Sequence, residues 1–120
     1  MLVDGYVYGQ ADGNHQSRHW ACVEMTTGRT MYSAKGIQGR SGSLTYADGM
    51  LYLLGDQGTV ALVPPSPDGF EIVSQFRLPR QGRGPTWADP VVFGGRLYIR
   101  HGQYLYAYDV RKPPEPAPAP

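Results

Sequence analysis

Few residues of this chain have the types and spacing that chemistry needs. His15, His19 and Cys22 form the pattern His-x3-His-x2-Cys near the start. Zinc takes convergent nitrogen and sulfur ligands, usually four. The three share one loop-to-strand segment, no fourth ligand is evident, and Cys22 stands where a strand places a small buried residue. We therefore read no metal site. Arg77, Arg80 and Arg83 gather in a stretch whose Gly82 and Gly84 leave backbone N–H groups accessible. Such a stretch could cradle an anion, or it is a solvated connection between structural units, as Arg40 is in Gly36–Gly42. His101 sits in a turn with no Ser, Cys or Asp beside it, so a nucleophilic triad has no support. The acids are Asp4, Asp12, Glu24, Asp48, Asp56, Asp68, Glu71, Asp89, Asp109 and Glu115, and several belong to Asp-Gly turns, where they serve backbone geometry. No catalytic residue is assigned. The candidate ligand-binding residues are Trp87, Arg80, Arg83 and Arg100. Two readings of Trp87 stay open: a plate in the core between units, or a face lining a channel and stacking on a flat ligand. Trp20, which opens a strand after a polar loop, reads as packing.

The elements that would position these residues are strands. Of 120 residues, 16 are Gly, 11 are Pro and 9 are Tyr. Gly and Pro break helices, and Tyr with Val suits pleated surfaces. The length fits one domain with one modest core. A net charge of +1 leaves no electrostatic footprint for nucleic acid. The single cysteine permits no internal disulfide. No stretch approaches the run of about 20 apolar residues that a membrane-spanning helix needs. Met1–Tyr6 has neither a basic region nor an apolar run, so no signal peptide is read. The chain instead begins within a strand, which suggests truncation or a misplaced start. Residues 112–120, rich in Pro, read as an extended, solvated and disordered tail.

Self-similarity sets the architecture. Leu2-Val3-Asp4-Gly5-Tyr6-Val7-Tyr8, Tyr46-Ala47-Asp48-Gly49-Met50-Leu51-Tyr52 and Val92-Phe93-Gly94-Gly95-Arg96-Leu97-Tyr98 superimpose. Their turn glycines Gly5, Gly49 and Gly95 lie 44 and 46 residues apart. Asp-Gly and Gly-Gly suit two-residue hairpins of type I′, which need φ > 0 at both central residues. A further strand follows each hairpin: Ala21–Glu24, Val60–Val63 (after a turn ending in Gly58) and Tyr106–Asp109. A fourth strand follows in the first two units, as Arg29–Ser33 and Phe70–Leu78, and nothing comparable follows the third. Four short strands repeating every ~40–50 residues mark propeller blades. A β-sandwich also suits short strands, but it has no reason to repeat one hairpin at this period. The predicted fold is all-β: a partial β-propeller of four-stranded antiparallel blades, two and a half to three repeats over residues 1–111, at approximately 1–33, 43–78 and 87–110.

Cys22-Val23-Glu24-Met25-Thr26-Thr27-Gly28-Arg29-Thr30-Met31-Tyr32 resembles the blade motif of pyrroloquinoline-quinone (PQQ)-like propeller repeats, roughly Ala-Leu-Asp-x-x-Thr-Gly-x-x-x-Trp. Cys22 takes the Ala place, Glu24 the Asp, Thr27-Gly28 the Thr-Gly and Tyr32 the Trp. Tyr106-Ala107-Tyr108-Asp109 matches the motif's start, and Ala61-Leu62-Val63 matches it with the acid lost. In such a motif Thr-Gly closes the turn between the third and fourth strands, the acid accepts backbone N–H bonds there, and the aromatic packs between blades. The resemblance, to quinoprotein-like and outer-membrane assembly lipoprotein-like propellers, implies a bacterial, exported or periplasmic protein. It implies a non-catalytic binding or scaffold module that docks protein partners or a small ligand through blade loops. The alternative it carries is a fragment of a PQQ-dependent alcohol-type dehydrogenase, and only then would PQQ and Ca²⁺ be expected. The partners expected are further blades or a second copy of the chain.

Overall fold

The computed structural model describes residues 1–11, 19–39, 41–79, 82–113 and 116–118. Among them there is no helix, and the chain forms eleven strands in three antiparallel sheets. Sheet 1 holds β1 (Leu2–Val3), β2 (Tyr6–Ala11), β3 (His19–Glu24) and β4 (Thr30–Lys35). Sheet 2 holds β5 (Gly42–Ala47), β6 (Met50–Gly55), β7 (Thr59–Val63) and β8 (Ser74–Arg77). Sheet 3 holds β9 (Val91–Phe93), β10 (Arg96–His101) and β11 (Tyr104–Asp109). Each is a simple meander, its strands neighbouring in chain order. Consecutive antiparallel meanders of this kind, two of four strands and one of three, are the blades of a partial propeller.

The first hairpin of every sheet turns on the predicted pair. φ is 50° and 84° at Asp4 and Gly5, 50° and 76° at Asp48 and Gly49, and 59° and 78° at Gly94 and Gly95. Both central residues are left-handed, as a type I′ turn requires, and Asp is among the few side-chain-bearing residues that tolerate this region.

Residues that alternate along the strands divide each sheet into two faces. On sheet 1, Tyr8, Cys22 and Tyr32 lie in one cross-strand row. With Val3 and Trp20 they pack on Leu51, Leu53, Ala61 and Val63 of sheet 2. The opposite face of sheet 2, through Leu54, Val60 and the half-buried Tyr52, packs on Leu97, Ile99, Val92, Tyr106 and Tyr108 of sheet 3. β5, the first strand of sheet 2, touches β2 of sheet 1 and β9, the first strand of sheet 3. Sheet 2 is thus covered on both faces. This explains why β6 and β7 read as nearly continuous apolar runs (Met50–Leu54, Val60–Val63) while β10 and β11 alternate.

The repeat register makes the sheets comparable position by position. Tyr8, Tyr52 and Tyr98 are counterparts, and each faces the next sheet in the series. Tyr8 meets sheet 2 and Tyr52 meets sheet 3. Among the described residues no fourth sheet lies in front of Tyr98. Sheet 3 has three strands among the described residues, and β11 pairs with β10 alone.

Candidate functional site

The Thr-Gly turn between β3 and β4 forms as the motif predicts, with a difference in how its acid is used. Gly28 takes φ 74° and donates its N–H to the Glu24 carbonyl at 2.9 Å. The Glu24 carboxylate accepts the hydroxyls of Thr27 (2.9 Å) and Thr26 (3.3 Å) instead of backbone N–H groups. The two threonines satisfy it first because their Oγ atoms lie two and three residues away on the same tight turn. At the matching place in sheet 3, Asp109 does accept a backbone N–H, that of Arg111, at 3.0 Å. The Arg111 guanidinium also closes on both of its oxygens, which holds the Asp109 carboxyl well below the usual carboxylate range. Tyr32 packs half-buried against the sheet 1–sheet 2 core, its ring 6.2 Å from that of Phe70. Loss of solvent pushes its hydroxyl up to about 12, and the nearby Cys22 adds to this. Gly58 closes the β6–β7 turn with a 2.9 Å bond from its N–H to the Gly55 carbonyl.

Trp87 lies in the connection between sheets 2 and 3, four residues ahead of β9, and does not enter the strand. It is 73% exposed, so it is not a core plate. Its neighbour Thr86 is the buried anchor, donating its N–H to the Asp56 carbonyl at 2.7 Å. Trp87 overhangs a cavity of about 130 Å³ whose other walls are Ser41, Gly42, Ser43 and Thr86. Ser41 Oγ donates to Asp56 Oδ2 at 3.2 Å, and the Asp56 N–H returns to the Ser41 carbonyl at 2.9 Å. An indole face beside a hydroxyl-lined hollow can stack a flat polar ligand. The serines and Thr86 had no sequence signal of their own. Ser41-Gly-Ser43 reads as ordinary linker until the fold sets it beside Trp87.

The arginines do not share that cavity. The Arg83 backbone lies over Gly102 in the β10–β11 turn. The Arg100 Nε donates to the Gly102 carbonyl at 3.0 Å. Both side chains are exposed at this one turn. The loop is held there by His101, whose Nε2 lies 2.8 Å from the Gly84 carbonyl. A carbonyl can only accept, so the proton sits on Nε2. Arg77, on β8, donates to Gln38 Oε1 in the β4–β5 link and to the Gln57 carbonyl in the β6–β7 turn. Arg80, Arg40 and His15 lie outside the described residues. His19 Nδ1 is 3.1 Å from Ser33 Oγ, and Cys22 is fully buried against Tyr8. Among the described residues no three His, Cys, Asp or Glu side chains converge on a point where a cation could sit. The acids that a Ca²⁺ and PQQ site would draw on are dispersed, Asp4 and Asp48 into hairpin turns and Asp109 into its pair with Arg111.

No family model and no curated protein matches the chain. Among solved structures it has a coarse likeness to BamB from Moraxella catarrhalis, at 16% identity and a TM-score of 0.41. The match covers 89% of this chain and 40% of that one, so the chain spans less than half of the BamB structure. The case for a propeller rests on the chain's own three sheets.

Proposed function

We propose that this chain is a non-catalytic, protein-binding scaffold module of a propeller-like protein. The observation that supports this reading is the pair of open sheet faces at the ends of the stack. On sheet 3, Val91, Phe93 and Leu105 are 53%, 76% and 69% exposed. On sheet 1, Leu2 is 55% exposed and its cross-strand partner Val7 is half-covered. Large apolar side chains grouped on one surface mark contact sites. Further sheets of the same kind, or a second copy, are the partners these faces suit. The Trp87 hollow and the Arg83–Arg100 turn are secondary docking points for a small ligand or a partner loop. An exported or periplasmic setting belongs to the proposal through the family resemblance, and neither PQQ nor Ca²⁺ has a role in it.

The reading is tested by placing a photo-crosslinking residue at Phe93, at Leu2 and, as a control, at the exposed turn residue Met25, in cells that make the protein. Adducts to polypeptide at Phe93 or Leu2, and none at Met25, are expected. Absence of any protein adduct at both faces overturns the reading.

A further inference from the structure

We infer that the free edge of β11 and the groove beside it form a binding site for an extended peptide, which adds to sheet 3 as its fourth strand. The proposal rests on the scaffold reading above and names one class of partner for it.

The first observation is a contrast between two equivalent places. Between sheets 1 and 2, a residual hollow of only about 10 Å³ is lined by Tyr8, Trp20, Tyr32, Leu51 and Phe70, among others. Between sheets 2 and 3 the counterparts Tyr52, Val60, Ser74 and Leu97 line a groove of about 200 Å³, with Phe76 and Val110. Two differences open it. Trp20 and Tyr32 are replaced by the smaller Val60 and Ser74. Phe70 and Ile72, which arrive ahead of β8 and pack on the first core, have no counterpart among the described residues after β11. The groove is apolar, and its one bulky outer-strand side chain, Phe76, comes from β8 of sheet 2, with none delivered from sheet 3.

The second observation is the backbone beside it. The Val110 N–H donates to the Gly95 carbonyl at 3.0 Å, and His101 pairs with Tyr104 across the hairpin. In an antiparallel ladder the residues that bond a given neighbour alternate. Tyr104, Tyr106 and Tyr108 therefore bond β10, and Leu105, Ala107 and Asp109 turn their N–H and C=O groups to the free edge. In sheets 1 and 2 the corresponding third strands, β3 and β7, are both covered by a fourth. An unpaired edge of this kind is a template for strand addition, where backbone bonds hold the peptide and pockets select alternate side chains. The occupant is thus an extended segment with apolar or aromatic residues at every second position, one of them bulky enough for the groove.

The probe is a synthetic peptide of residues 68–78, the segment that completes sheet 2, titrated into the full chain. Saturable binding is expected, with slowed amide exchange at Leu105, Ala107 and Asp109. Ala107→Pro deletes an edge donor without touching the β10 ladder and should abolish binding while the melting transition is retained. Val110→Trp, which fills the groove and leaves the edge intact, should weaken binding at least tenfold. No binding, binding that protects other amides, or binding unchanged in both variants overturns the inference. Crosslinks from Phe93 report on the open face and not on this edge, so either proposal can fail while the other stands.

Discussion

Tyr8 lies directly opposite Cys22 across the β2–β3 ladder, and its phenol and the buried thiol each bear on the other's titration. Two ionisable groups share one dry space in the main core, with Tyr32 on the far side of the cysteine. Burial disfavours charge on all three and raises them all, the tyrosines being pushed further by the cysteine. The row holds the core together only while it is neutral.

A pH dependence follows. A group whose folded value is raised contributes stability that is complete below its unfolded value and is lost as pH climbs through the folded one. The thiol starts from 9.0 and the phenols from 10.0, with Tyr32 reaching about 12. The melting temperature should be flat from about pH 7 to 9 and fall steadily between about 9 and 12. Tyr8→Phe with Cys22→Ala should flatten part of that fall, as followed by circular dichroism. An equally steep decline in the double variant would place the alkaline sensitivity elsewhere.

Trp20 is cradled by glycine. A Cβ on Gly42 would stand 2.8 Å from the Trp20 ring and 2.9 Å from the Leu54 carbonyl, which is backbone and cannot step aside. Gly42→Ala should cost about 1–3 kcal/mol by overpacking, and Trp20→Ala about 3–5 kcal/mol by leaving a cavity. Gly9 also lies in a strand but has nothing within 4 Å of a built Cβ, so Gly9→Ala should be neutral within about 0.5 kcal/mol. Urea titrations of the three variants rank them. Equal costs for Gly42→Ala and Gly9→Ala would mean that the indole does not sit in this cradle.

The β3–β4 turn gives a graded test. Thr27 Oγ donates to Glu24 at 2.9 Å and accepts the Arg29 N–H at 3.2 Å, while Thr26 makes only the 3.3 Å bond. Thr27→Ala should destabilise by about 0.5–1.5 kcal/mol, and Thr26→Ala by less. Reversal of that order in chemical denaturation would show that the carboxylate is held in another way.

Much of the fold was legible because the turn chemistry repeats. Asp4-Gly5, Asp48-Gly49 and Gly94-Gly95 fix three hairpins, and the strands follow from the apolar runs on either side. Less of the candidate site could be read. For Trp87 a core plate and a channel face were both open, because only tertiary contacts decide that Thr86 goes in and Trp87 stays out. The Ser41–Ser43 wall and the His101–Gly84 bond join residues far apart in sequence and carry no local pattern. The opening of the groove beside β11 became visible only once register matched Val60 to Trp20 and Ser74 to Tyr32.

The same register argues for a specific mode of self-association. The open face of sheet 1 carries Val7, Gly9, Ala21 and Val23, the counterparts of Leu51, Leu53, Ala61 and Val63. The open face of sheet 3 carries Tyr98, Arg100, Leu105 and Ala107, the counterparts of Tyr52, Leu54, Val60 and Leu62. Inside the chain, faces of these two kinds meet twice and bury the core. At the ends the sizes shift: Gly9 replaces a leucine on one face, while on the other Arg100 and Leu105 replace a leucine and a valine and only Ala107, in place of Leu62, is smaller. Large side chains on sheet 3 thus match small ones on sheet 1, which favours a head-to-tail contact over like meeting like. Two copies joined twice in this way form a ring of six sheets, within the range of about four to eight blades that closed propellers use. Light scattering should give twice the chain mass of 13.2 kDa. Leu105→Glu and Val7→Glu should each be monomeric alone, and an equimolar mixture should recover a one-to-one pair through the single intact interface. A dimer that survives either substitution would mean a like-to-like contact, and a wild-type monomer melting cooperatively well above about 60 °C, past the usual mesophile range, would show that the open faces need no cover.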